Sequence, residues 1–172
     1  WVKVKMKELK SFRCALKGIT RCIKNERHMR IHICASLYVL LFSTFFNLSV
    51  EKYAILILTI SAVISAEMVN TSVEVLSDIC AENYNRMAKV AKDIAAGAVF
   101  VFALAAVAIG IMFFGDIYVL WSIMIFFWDH KILLMLMILS LVLSGFFIMI
   151  GPIEIKNRVK TIIFKQKQKN KG

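Results

Sequence analysis

Residues 53–78, YAILILTISAVISAEMVNTSVEVLSD, begin as an apolar run and turn polar without meeting a proline or glycine. From Tyr53 to Ala66 nothing is charged, so the run predicts a membrane-inserted helix. Glu67, Asn70, Thr71, Glu74 and Asp78 then follow at offsets of 0, 3, 4, 7 and 11, one stripe of a continuing helix. An ionisable group inside a span costs about 2.5–3.5 kcal/mol on insertion scales, so the stripe is expected to face something polar.

Working outward, the 172 residues are 60% hydrophobic with a single proline, and the apolar runs approach the ~20 residues that cross a bilayer as helix. Alternation of the barrel type is missing, which predicts an all-α integral membrane fold. Ten of the 22 basic residues precede residue 31 and seven follow residue 155. Lys and Arg stay on the cytoplasmic side, so both ends are expected there and the number of crossings is expected to be even. Spans are predicted at about 33–50, 53–76 and 94–114, with Glu51 and Lys52 as an outer turn. Of the two later runs, Ile132–Ile150 is long enough for a fourth span. Ile117–Trp128, with Tyr118, Trp121 and Trp128, is expected to lie at the interface. The chain thus divides into a membrane domain (1–115), a hydrophobic extension (116–151) that Gly151 and Pro152 close, and a basic cytoplasmic tail (152–172) attracted to anionic lipids.

Before the first span, Leu9, Phe12, Leu16, Ile19 and Ile23 recur at helical spacing on one face, with Lys10, Arg13, Lys17, Arg21 and Lys24 on the flank and opposite side. A surface helix over about 7–30 is predicted, its apolar face at the acyl boundary and its bases on anionic membrane lipids. The excess of bases therefore points to a membrane surface and not to nucleic acid. No cleavable signal peptide is expected in this cationic segment. Cys14, Cys22, Cys34 and Cys80 lack metal or redox spacing and read as apolar fillers. His28 and His32, flanked by Arg27 and Arg30, read as headgroup contacts, and Gly97 among alanines as a helix-packing surface.

Three readings of the Glu67 stripe are open. It could be an interhelical hydrogen bond, an ion pathway, or a catalytic site at the inner interface. A pathway wants further acids deep in other spans, and none is there. A catalytic site accounts for Glu67, Asn70, Glu74 and Asp78 lying near the Lys92–Asp93 pair that opens the next span. Phosphoryl transfer needs a base, Mg²⁺ on the phosphates, and cations against developing charge. Mg²⁺ takes one or two carboxylates with phosphate and water, which suits Glu74 with a second acid such as Glu26. Neither a P-loop nor a protein-kinase glycine loop occurs. A non-enzymatic membrane adaptor would keep the spans but has no need of these residues together.

The stretch 67–99, EMVNTSVEVLSDICAENYNRMAKVAKDIAAGAV, closely resembles the signature of the small prokaryotic diacylglycerol kinase and undecaprenol kinase family, E-x-x-N-[ST]-x-[IV]-E followed by A-K-D. The resemblance runs upstream through SFRCALKGI and KNERHMRIH, covering roughly 11–115, and NERxxRIH is similar to the Gram-positive undecaprenol kinase branch. It implies a homotrimeric, multi-pass lipid kinase of the bacterial plasma membrane that takes ATP and Mg²⁺ on its cytoplasmic side. By the same resemblance Glu67 is the general base on the lipid hydroxyl, and Glu26 and Glu74 hold Mg²⁺ with ATP. Asn70 organises the site, Lys92 contacts phosphates, Asp93 faces the nucleotide, and Asn83, Tyr84 and Asn85 form a loop touching ATP. Cys14 and Ala15 stand where the diacylglycerol kinase branch carries a Tyr-Ser pair at the substrate entry. By the NERxxRIH resemblance undecaprenol is the expected acceptor, with diacylglycerol the alternative.

Overall fold

The computed structural model describes the backbone of residues 2–80 and 86–169 and the side chains of 10–79 and 86–152. Within them the chain is helical without strands, in the order α1 (Val2–Asn25), α2 (Arg27–Ser43), α3 (Val50–Cys80), α4 (Arg86–Phe114), α5 (Ile117–Asp129) and α6 (Lys131–Lys169). Among the described residues three helical segments are long and apolar enough to cross a membrane, namely Val50–Ile79, Arg86–Phe114 and Lys131–Pro152. The all-α membrane fold expected from composition is what the chain adopts.

α3 and α4 pack along their lengths as an antiparallel pair. Lys92 near the start of α4 pairs with Asp78 near the end of α3. At the opposite end Lys52 Nζ lies 5.7 Å from the Phe113 ring centre. α2 runs antiparallel to α6: Arg30 reaches Ile148, while Tyr38 hydrogen-bonds Ser140 (3.1 Å) and Ser144 (3.0 Å). Such small hydroxyl pairs suit a membrane, where helices attract one another through packing and polar contacts more than through the hydrophobic effect. Its distal end meets the α4 terminus, where the rings of Phe46 and Phe114 are 5.0 Å apart and edge-on.

Two boundaries differ from the sequence expectation. α2 stops at Ser43 instead of running to residue 50, and the turn falls on residues 44–49, leaving Glu51 and Lys52 in the first turn of α3. Asn47 adopts φ 45°, a left-handed conformation that asparagine tolerates better than most residues, and this reverses the chain. The charges at Glu51 and Lys52 are merely close to the turn. The surface helix, expected to continue to about residue 30, breaks at Glu26, which is extended at φ −97°, ψ 123°.

α5 bridges the distal end. Asp116 caps it by accepting from the Tyr118 (2.9 Å) and Val119 (3.4 Å) amides. Its early residues Leu120 and Ile123 border a cavity with Tyr38, Phe42, Phe46 and Phe114. At its other end Phe126 and Phe127 pack on Phe45 with centroids 5.6 and 6.3 Å away. Both ends therefore meet the same aromatic turn, so α5 lies across the bundle end. The chain exposes 13,678 Å², where a soluble globule of 19.6 kDa would expose about 8,600 Å². Most of the apolar helix surface faces outward, as it does when lipid or other helices supply the solvent.

Candidate active site

The polar stripe lies on one unbroken helix, α3, because residues 50–80 contain no glycine or proline, and the hydroxyls of Thr59, Thr71 and Ser72 are satisfied by carbonyls one turn earlier. Counting 1.5 Å per residue, Glu67 is about 21 Å along the axis from Tyr53 and Glu74 about 10 Å further. Glu67 retains only 3% of its surface and is the one buried carboxylate among the described residues. Burial of a carboxylate is costly unless something polar meets it. The α1–α2 junction packs against α3 at this level.

Breaking the helix at Glu26 folds the end of α1 back onto α3. There the Cys22 thiol meets the Thr71 hydroxyl. Glu26 and His28 on the junction, and Glu74 one face-repeat along α3, lie within electrostatic range of Glu67. Glu26 caps α2 by position, but its side chain makes no capping bond to the helix amides. Its carboxylate is thus left for another partner. The Cys22 thiol is pushed up from its ordinary range, first by burial and next by the neighbouring Glu26 carboxylate, with Glu67 adding to it.

Asn70 sits between the two α3 carboxylates. Its Nδ2 donates to Glu74 Oε1 at 3.1 Å, while its Oδ1 is buried with no hydrogen-bond partner. An unsatisfied buried acceptor costs about 1–3 kcal/mol, and such groups concentrate where a ligand is received. Glu26, Glu74 and Asn70 Oδ1 are hard oxygen donors of the kind Mg²⁺ takes, together with phosphate oxygens and water. Among the described residues no three or more His, Cys, Asp or Glu side chains form a ready metal cage. The arrangement suits a cation that arrives with phosphate oxygens, and not a zinc-type site.

Of the residues singled out in the sequence, Glu67, Asn70 and Glu74 share one face of α3, Asn70 and Glu74 in direct contact, and Glu26 lies at the α1–α2 junction within electrostatic range of Glu67. Lys92 and Asp93, expected to open the next span, instead lie two turns inside α4, which starts at Arg86: Lys92 is ion-paired with the last acid of the stripe, Asp78, and Asp93 is exposed. Asn83, Tyr84 and Asn85 lie outside the described residues. Sequence reasoning placed His28 only among headgroup contacts, and it gave Arg30 no role. Arg30 is 5% exposed and its guanidinium donates to the carbonyls of Ile23 and Lys24 (each 3.2 Å) and of Ile148 (3.0 Å). The only signal for it in the sequence is Pro152, whose missing amide leaves the Ile148 carbonyl without its helical donor.

The sequence pattern of the family described as Prokaryotic diacylglycerol kinase matches residues 13–114. An undecaprenol kinase of Bacillus subtilis is 37% identical over 105 residues, covering 61% of this chain and 85% of that one. A diacylglycerol kinase of Synechocystis is 37% identical over 103 residues, 59% of each chain. The matched region holds the whole Glu26–Glu67–Asn70–Glu74 cluster and ends where α4 ends.

Proposed function

The chain belongs to the prokaryotic diacylglycerol kinase family and is a lipid kinase, and from that premise we propose that it passes the γ-phosphate of ATP to undecaprenol, with Glu67 as base. The observation that carries this reading is the burial of Glu67 on the same α3 face as Glu74 and within electrostatic range of Glu26, with an unpaired buried oxygen on Asn70. Glu67 takes the proton of the lipid hydroxyl as that oxygen bonds the γ-phosphorus. The bond to ADP breaks, and ADP leaves with the charge. Its position near the end of an apolar span suits a substrate whose hydroxyl is presented from the bilayer while its chain stays in lipid.

Glu26 and Glu74, with Asn70 Oδ1, would hold Mg²⁺ arriving with the nucleotide, and the ion supplies charge neutralisation on the phosphates. Asn70 orients Glu74 through its amide. Lys92 exchanges its partner Asp78 for a phosphate oxygen, and Asp93, with Asn83, Tyr84 and Asn85, completes the nucleotide side. The site faces the cytoplasm, because Arg86, Lys89 and Lys92 join the bases of α1 at this end of the bundle. In a plasma membrane those α1 bases would meet anionic headgroups. Three copies assemble, which would cover part of the apolar surface that the single chain leaves exposed.

Undecaprenol is favoured over diacylglycerol because NERHMRIH over 25–32 resembles the undecaprenol kinase branch and because Cys14 and Ala15 offer no hydroxyl pair at the entry. The test is phosphate transfer from ATP, with Mg²⁺ and purified protein in detergent, to each lipid in turn. Faster turnover of undecaprenol is expected. Preference for diacylglycerol would reverse the acceptor assignment, and transfer to neither by an intact assembly would remove the reading.

A further inference from the structure

Outside the family match, one contact ties the C-terminal helix to the site. We propose that Arg30 is a positioning residue for Glu26, anchored by α6, so that a region lying beyond the family pattern completes the geometry of the kinase site. This rests on the reading of Glu26 as a ligand of the metal–nucleotide.

Arg30 spans the α1–α2 junction. Its own amide donates to the Glu26 carbonyl at 3.4 Å, and its Nη1 reaches back to the carbonyls of Ile23 and Lys24, both 3.2 Å away. Those carbonyls belong to the last turn of α1 and have no helical donor ahead of them once Glu26 turns extended. The rest of the fork, Nε at 3.2 Å and Nη2 at 3.0 Å, closes on the single carbonyl of Ile148. That oxygen is open because α6 leaves helical geometry at Gly151 and the residue four ahead, Pro152, has no amide hydrogen. The guanidinium therefore joins two helix C-terminal ends, where partial negative charge accumulates, and its hydrogen bonds go to backbone carbonyls.

Gly151 makes the approach possible. Its φ of 72° and ψ of 157° belong to a conformation open essentially to glycine alone, and a Cβ there would stand 3.2 Å from Arg30 Cζ and Nη1. Gly151 bends α6 away, Pro152 frees the carbonyl, and Arg30 occupies the opening. The consequence reaches Glu26 because four residues separate it from Arg30 and the extended backbone at Glu26 is what turns its side chain out of the helix. With the end of α1 unpinned, that hinge can straighten toward one continuous helix and carry the carboxylate off the stripe.

The test uses the full-length protein in detergent with two variants, Pro152→Ala, which returns a donor to the Ile148 carbonyl, and Arg30→Met, with Arg30→Lys as the conservative partner. Amide hydrogen exchange at residues 26–30 is expected to speed up in Pro152→Ala and Arg30→Met and less in Arg30→Lys. In the same proteins the Mg²⁺ concentration for half-maximal phosphate transfer should rise about tenfold or more, as for loss of a supporting group around a metal. The KM for the lipid should stay where it was, which a general loss of folding would not give. Unchanged exchange at 26–30 in Pro152→Ala and Arg30→Met overturns the proposal, as does unchanged Mg²⁺ dependence in an active variant. If the unaltered protein phosphorylates neither lipid, the functional reading falls, while the exchange comparison still decides whether α6 holds the junction.

Discussion

Glu67→Gln isolates the proposed base. The two side chains have the same size, so a residue only 3% exposed can be exchanged without opening a cavity. The hydrogen bond that Thr71 makes at 3.0 Å goes to the Glu67 backbone carbonyl and survives the exchange. What changes is charge: the amide cannot take a proton, and the repulsion that Glu26 and Glu74 exert on Glu67 disappears. A positioned base contributes about 10²–10⁴ in rate, which at 1.36 kcal/mol per decade is roughly 3–5 kcal/mol of barrier. The kcat for undecaprenol should fall by that factor. The KM for MgATP should hold or drop, since removing the Glu67 charge leaves the proposed ligands Glu26 and Glu74 in place and lowers the repulsion on them. Initial rates with labelled ATP give kcat and KM, and thermal unfolding in detergent checks that the fold is kept. A kcat within tenfold of the unaltered enzyme, in a protein that unfolds normally, would refute the assignment of Glu67. A collapse of MgATP affinity with kcat preserved would instead place Glu67 among the metal ligands.

Gly151→Ala should lower stability by about 1–3 kcal/mol, because alanine meets both the strained backbone and the Arg30 guanidinium at 3.2 Å, and thermal unfolding in detergent reads the loss. Cys22 should react with a thiol reagent more slowly than the exposed Cys14 at pH 8. Burial and the Glu26 carboxylate raise its pKa, so less thiolate is present at a given pH and the gap should close as pH rises; Glu26→Gln should speed the labelling. Lys92→Ala should raise the KM for MgATP with a stability change under about 1 kcal/mol, because its ion pair with Asp78 is largely solvent-exposed, and paired kinetic and unfolding measurements separate the two effects.

Much of this was legible in the chain because it depends on neighbours a few residues apart. Hydrophobic runs long enough to cross a membrane, the amphipathic face of α1, and the alignment of Glu67, Asn70, Glu74 and Asp78 on one stripe all follow from helical periodicity. The family signature over 67–99 added the expected chemistry and tied Glu26 to it, which spacing alone offers only as one acid among several. The break at Glu26 and the turn at Asn47 were harder, since single residues with unusual backbone angles decide them against the surrounding helical pattern.

Periodicity therefore determined which segments are helices and which face of α3 is polar. Only the tertiary structure decided what that face meets. Glu67 is buried where α3 is packed by the other helices, the α1–α2 junction among them, and that junction is pinned by Arg30 to a carbonyl 118 residues later in the chain. No local rule pairs an arginine with an acceptor at that separation: Pro152 leaves the Ile148 carbonyl free, but packing of α6 against α2 is what brings the guanidinium within 3.0 Å of it.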